Sequence, residues 1–103
     1  MKQKNAECAV EKTIKIIGSK WTLLILHNII EGNNRFGQLQ RALHGISTKT
    51  LSVRLQEMEK AGIITRTVYA EVPLHVEYFA TDKGRSLKGI IDKMGNWGEQ
   101  SSI

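Results

Sequence analysis

Residues 35–62, RFGQLQRALHGISTKTLSVRLQEMEKAG, decide the fold. Phe36, Leu39 and Leu43 recur at helical spacing, so a short helix buried along that stripe is expected over about 36–43. His44-Gly45-Ile46 breaks it with a turn. Ser47 then offers an N-cap hydroxyl to a longer helix reaching about Ala61, in which Leu51, Leu55 and Met58 stand at i, i+4 and i+7 and face inward. Gly62 ends it. A rotation of about 100° per residue puts Lys49, Val53, Gln56 and Lys60 on the opposite, outward face.

Two stretches rich in valine, threonine, tyrosine and isoleucine follow, Ile63 to Ala70 and Leu74 to Ala80, and Glu71-Val72-Pro73 joins them as the tip of a β-hairpin. Upstream, a helix over 9–17 carries Val10, Ile14 and Ile17 on one stripe and stops at Gly18. The next, Trp21 to Glu31, is apolar almost all round, which places it through the centre of the core. Downstream, Thr81 can cap a last helix over about 82–100 that shows Leu87, Ile90, Ile91, Met94 and Trp97 as one apolar stripe. A short helix, a tight turn, a longer helix with a polar outer face and a hairpin, in that order, read as a winged helix-turn-helix. The fold class is therefore mainly α with a small β-hairpin, with the helix-turn-helix at about 36–61 and the wing at about 63–80.

The chain has 103 residues, 41% of them hydrophobic and 24% charged, which suits one domain over 1–103 with a single core. Its net charge of +5 favours a polyanionic partner. Apolar runs such as Leu23 to Leu26 are too short to span a bilayer, and Met1 to Asn5 contain no apolar signal segment, so the expected location is cytoplasmic, away from membranes. One cysteine, Cys8, excludes an internal disulfide framework and a zinc finger, and His27, His44 and His75 have no ligand spacing. No metal or cofactor is expected, and no small-molecule ligand is evident.

The expected partner is double-stranded DNA. Recognition helices read bases with their first turns. Lys49 suits guanine, Gln56 adenine and Val53 a thymine methyl, while Ser47, Thr48, Thr50 and Ser52 are small donors at a helix terminus that favours phosphate. Arg35, Arg41, Lys49, Arg54, Lys60 and Arg66 meet only Glu57 and Glu59 between residues 35 and 66, so positive charge concentrates on this unit. Arg35 and Arg41 flank the first helix of the unit as phosphate holders. Arg54 borders the buried face, where an ion pair with Glu77 competes evenly with a DNA contact, and Arg66 carries the same ambiguity. The tip from Ala70 to His75 is a weakly basic wing in which His75 is the one candidate phosphate partner, balanced against an ordinary exposed strand residue.

Cys8 with Glu11, Ile17-Gly18 before Lys20-Trp21-Thr22, Arg35-Phe36 with Leu39, Gly45-Ile46-Ser47 before Leu51 and Arg54-Leu55, then Gly62, Arg66, Pro73, Val76-Glu77-Tyr78, Thr81, Gly84 and Trp97-Gly98 form a specific pattern. It closely resembles the HxlR family of bacterial winged helix-turn-helix regulators, MarR-like in architecture, over nearly the whole chain. The resemblance implies a homodimeric transcription factor bound to a near-palindromic operator. Its first and last helices, about 9–17 and 82–100, would form the interface through Val10, Ile14, Leu87, Ile90, Ile91, Met94 and Trp97. It also implies a sensing role for Cys8 toward oxidants or electrophiles. A thiol beside the amino end of a helix lies where the dipole favours negative charge, while Glu7 beside it opposes that charge. Ala9 and Leu74 stand where the family commonly has proline.

Two other classes fit less well. A winged helix serving as a protein-interaction module without DNA binding leaves the cationic outer face unexplained. An enzyme with Cys8 as nucleophile needs an orienting partner and a pocket motif that the sequence does not offer, so the chain is read as no enzyme.

Overall fold

The computed structural model describes residues 8–101, so the reading of Glu7 lies outside the described residues. The order is α1 (Ala9–Ile17), α2 (Lys20–Ile30), α3 (Phe36–Ala42), α4 (Thr48–Lys60), β1 (Ile64–Tyr69), β2 (His75–Ala80), α5 (Asp82–Arg85) and α6 (Lys88–Gln100). The strands pair antiparallel, from Ile64 opposite Ala80 to Tyr69 opposite His75.

The core forms where α2, α3, α4 and the base of the hairpin meet. Ile25, Leu26 and Ile29 of α2 pack with Leu39 of α3, Leu43 and Ile46 of the turn, and Leu51, Leu55 and Met58 of α4, closed by Ile63, Ile64 and Tyr78. Each fully buried aliphatic contributes on the order of 1.5–3 kcal/mol. The stripes expected on α3 and α4 are thus the buried ones. Helix α2 is covered on one side only: Leu24 stays exposed, and Leu23 and Leu24 line a groove with Ile91 and Met94 of α6. Its all-round apolar character serves two surfaces, one inside the core and one beside α6.

The last helix is not continuous. Thr81 caps α5 by accepting from the Gly84 amide at 3.0 Å, as expected, but the helix stops after Arg85 and restarts at Lys88. Ser86 Oγ donates to the Lys83 carbonyl, and the Leu87 amide bonds instead to the Gly84 carbonyl three residues back. That shift from the i−4 to the i−3 partner tightens the chain and turns Leu87 onto the core. Within α6, Lys88 donates to Asp92 at 2.8 Å, and this bond raises the lysine ammonium above its ordinary range.

Neither α1 nor α6 has a buried residue. The radius of gyration is 15.6 Å, against about 13 Å for a compact chain of roughly 100 residues. Val10 and Ile14 are 67% and 61% exposed, Met94 and Trp97 54% and 66%, whereas Leu87 and Ile91 of the same C-terminal stripe pack on the core. Among the described residues, no helix is long and apolar enough to cross a membrane.

Candidate nucleic-acid interface

The approach of α4 to the surface is set by its first turn. Ser47 Oγ accepts the Thr50 amide at 3.0 Å and donates to Thr50 Oγ1 at 2.9 Å, which satisfies one of the amides a helix start leaves unpaired. Gln40 of α3 donates to Thr48 Oγ1 at 2.8 Å, tying the two helices together across the turn. Gly45 makes that turn possible with φ 89°, a conformation that costs a side-chain-bearing residue energy. Helix α3 is anchored at its own start by Gln38, whose Oε1 accepts the amides of Asn34 at 3.0 Å and Arg35 at 3.1 Å.

With Leu51, Leu55 and Met58 fully inside, Lys49, Val53, Gln56 and Lys60 are exposed on one face of α4. Ser47 and Thr48 are exposed at its head, and Thr50 and Ser52 are half-buried beside it. Arg35 and Arg41 are exposed near the two ends of α3. Arg66 lines a cleft of about 350 Å³ with Gln56 and Glu59, between α4 and the hairpin.

Two residues sit differently from expectation. Arg54 does not pair with Glu77. Its Nη1 bonds to Glu57, one turn along the same helix, where little side-chain freedom is given up in reaching it. Arg54 lies well away from the Lys49–Gln56 face and lines a cavity with Ile17 and Gly18. Glu77 instead meets Arg35 Nη2 at 3.5 Å and His75 Nε2 at 3.2 Å, with Asn34 Nδ2 at 3.5 Å.

His75 is the second. Its ring stacks on Tyr69 with centroids 4.7 Å apart, and its other nitrogen, Nδ1, is 3.5 Å from Glu71. Two carboxylates around one imidazole repel a phosphate rather than attract one, so the geometry argues against His75 as a phosphate contact. The tip also presents Val72 and Leu74 to solvent. Gln38, Gln40 and Asn34 are positioning residues that the sequence reading passed over. The spacing of Arg35 to Gln38, N-cap to third helical residue, was a visible signal for Gln38. Gln40 and Asn34 had none, because their partners are set by folding.

Cys8 is exposed at the N-cap of α1. Its Sγ accepts the Glu11 amide and its own amide donates to Glu11 Oε1, both at 3.4 Å. No group of three or more histidine, cysteine or acidic side chains suited to a metal ion is present among the described residues.

The sequence model of a family described as HxlR-like helix-turn-helix matches residues 16–102. YdeP of Bacillus subtilis, an HTH-type transcriptional regulator, is 41% identical over 93 residues, covering 90% of this chain and 73% of its own. Two solved structures are similar throughout. The redox regulator HypR in its oxidized form superposes with a TM-score of 0.87 at 38% identity, over 93% of this chain and 99% of that one. The reduced form of the transcriptional regulator YodB from B. subtilis gives 0.78 at 33% identity, over 94% and 96% of the two chains.

Proposed function

The chain belongs to the HxlR-like helix-turn-helix family of DNA-binding transcriptional regulators, and from that premise we propose that two copies read a near-palindromic operator, one α4 in each of two major grooves. The observation that carries this reading is the outward face of α4: Lys49, Val53 and Gln56 lie exposed along one face of a helix whose start is capped by Ser47. Base-reading side chains in the first turns of a helix, flanked by Arg35 and Arg41 for phosphates, match how such a helix docks.

Dimerisation would use α1 and α6. Val10 and Ile14 of α1 and Ile90, Met94 and Trp97 of α6 are large hydrophobic side chains left exposed in the single chain, which a second copy would cover, while Leu87 and Ile91 would support the interface from the core side. Cys8 would act as a thiol sensor. It is exposed at the start of a dimerisation helix, and HypR, similar over nearly the whole chain, is a redox regulator.

Lys49→Ala and Gln56→Ala, titrated against operator and random duplexes, test the reading. Each is expected to weaken specific binding, by about 1–3 kcal/mol where the side chain holds a base through two hydrogen bonds. Unchanged affinity and unchanged site preference in both would remove α4 as the reading helix.

A further inference from the structure

The geometry points to Arg66 as a residue that binds a DNA backbone phosphate, supplied by the first strand of the wing rather than by its tip, at the seam between β1 and α4. In the antiparallel register Arg66 stands opposite Tyr78, so these two side chains share one face of the hairpin while Glu77 projects from the other. Glu77 is also engaged by Arg35 and His75. It is therefore no partner for Arg66, and among the described residues the exposed Arg66 guanidinium has no hydrogen bond or ion pair.

The cleft of about 350 Å³ that Arg66 lines has the buried Leu55 and Tyr78 as its floor. Its rim carries Gln56 and Glu59 of α4, both exposed, with the half-buried Ser52 hydroxyl between them and the start of the helix. Ser52, Gln56 and Glu59 stand at i, i+4 and i+7, one flank of α4, and Gln56 belongs at the same time to the outward face. A helix seated in a major groove has base edges before it and a phosphate backbone along each flank. With Gln56 turned to the bases, the flank that meets Arg66 faces one of those backbones. Glu59 is the one carboxylate of the cleft, and the exposed Lys60 lines the adjoining hollow with it, so two cations face one anion. The hairpin tip, where Glu71 and Glu77 enclose His75, has no such surplus. This inference rests on the reading of α4 proposed above.

Arg66→Gln and Arg66→Lys test it in the full chain, titrated across about 50–200 mM salt against two duplexes, one selected by the native chain from a random pool and one unselected. Arg66→Gln is expected to bind both at least about tenfold more weakly at the low-salt end, with the slope of log affinity against log salt reduced by about one for each bound copy. The ratio of the two affinities should stay native, and Arg66→Lys should keep the native slope. The urea midpoint of Arg66→Gln should also stay native, since the guanidinium has no partner within the chain to lose. A native slope in Arg66→Gln would overturn the assignment, and so would a changed affinity ratio at unchanged slope, which would make Arg66 a base reader. A lowered urea midpoint that Glu59→Gln reproduces, together with a native slope, would show an Arg66–Glu59 pair closed across the cleft instead. Lys49→Ala and Gln56→Ala are read by site preference and Arg66→Gln by slope, so the reading of α4 can stand where this inference fails.

Discussion

Arg35 at the start of α3 and Glu77 in β2 are 42 residues apart in sequence, yet Arg35 Nη2 lies 3.5 Å from Glu77 Oε2. The pair joins the helix-turn-helix to the wing, and the Tyr78 amide strengthens the same seam by donating to the Asn34 carbonyl at 2.8 Å. Because Arg35 is half exposed, a double-mutant cycle of Arg35→Ala and Glu77→Ala should return a coupling of no more than about 1 kcal/mol in urea unfolding. Glu77→Ala alone should cost more than Arg35→Ala, since it also strands Asn34 and His75. Equal single costs would show that Glu77 is not the hub of this seam.

Gly84 is the glycine with least freedom. A Cβ there would stand 2.2 Å from the Ile63 carbonyl oxygen, a backbone atom that cannot step aside. Gly84→Ala should therefore destabilise the fold by about 2–4 kcal/mol. Gly89→Ala, in α6 with nothing within 4 Å of the new methyl, should gain about 0.5–1 kcal/mol from helix propensity. Chemical denaturation of both variants reads the contrast, and matching midpoints would refute the close approach.

Operator binding should be strongly salt-dependent. If a dimer engages about six to ten phosphates, affinity falls by roughly three to five decades between 50 and 200 mM salt. Arg41→Ala should reduce the salt slope by about one for each phosphate that the arginine neutralises, without altering sequence preference. Gln56→Ala should instead alter preference with little change in slope. A slope identical in Arg41→Ala and the native chain would show that Arg41 holds no phosphate.

Met94→Glu and Trp97→Glu place charge on exposed positions of α6, so the monomer should keep its stability while sedimentation shifts toward the single chain. If two copies read a near-palindromic operator as proposed, operator affinity should fall with it, since each half is then bound alone. A native-like sedimentation profile for both variants would move the interface elsewhere.

Diamide would test Cys8. With one thiol per chain, oxidation to an intersubunit disulfide joins two Cys8 sulfurs, and the two electrons and two protons pass to diamide. The expected result is a covalent dimer on non-reducing gels with altered operator affinity, both absent in Cys8→Ser. Equal affinity in reduced protein, treated protein and Cys8→Ser would leave a regulator without thiol control.

Helical spacing of Phe36, Leu39 and Leu43, and of Leu51, Leu55 and Met58, was enough to place α3 and α4 and to say which face each buries. Periodicity is a local property, and these helices obey it because each has one side inside the core. The outward set of Lys49, Val53 and Gln56 followed by rotation alone. Three features were not legible. Glu77 paired with Arg35 rather than Arg54, His75 was enclosed by Glu71 and Glu77, and the last helix broke at Ser86-Leu87. Each depends on which groups folding brings within 3–4 Å, and for a long polar side chain several partners are almost equal in energy until the packing of the hairpin against α3 selects one. Spacing along the chain settled the elements and their buried faces. Partner choice, the cavity at Arg54 and the uncovered stripes of α1 and α6 arose only when those elements were packed together.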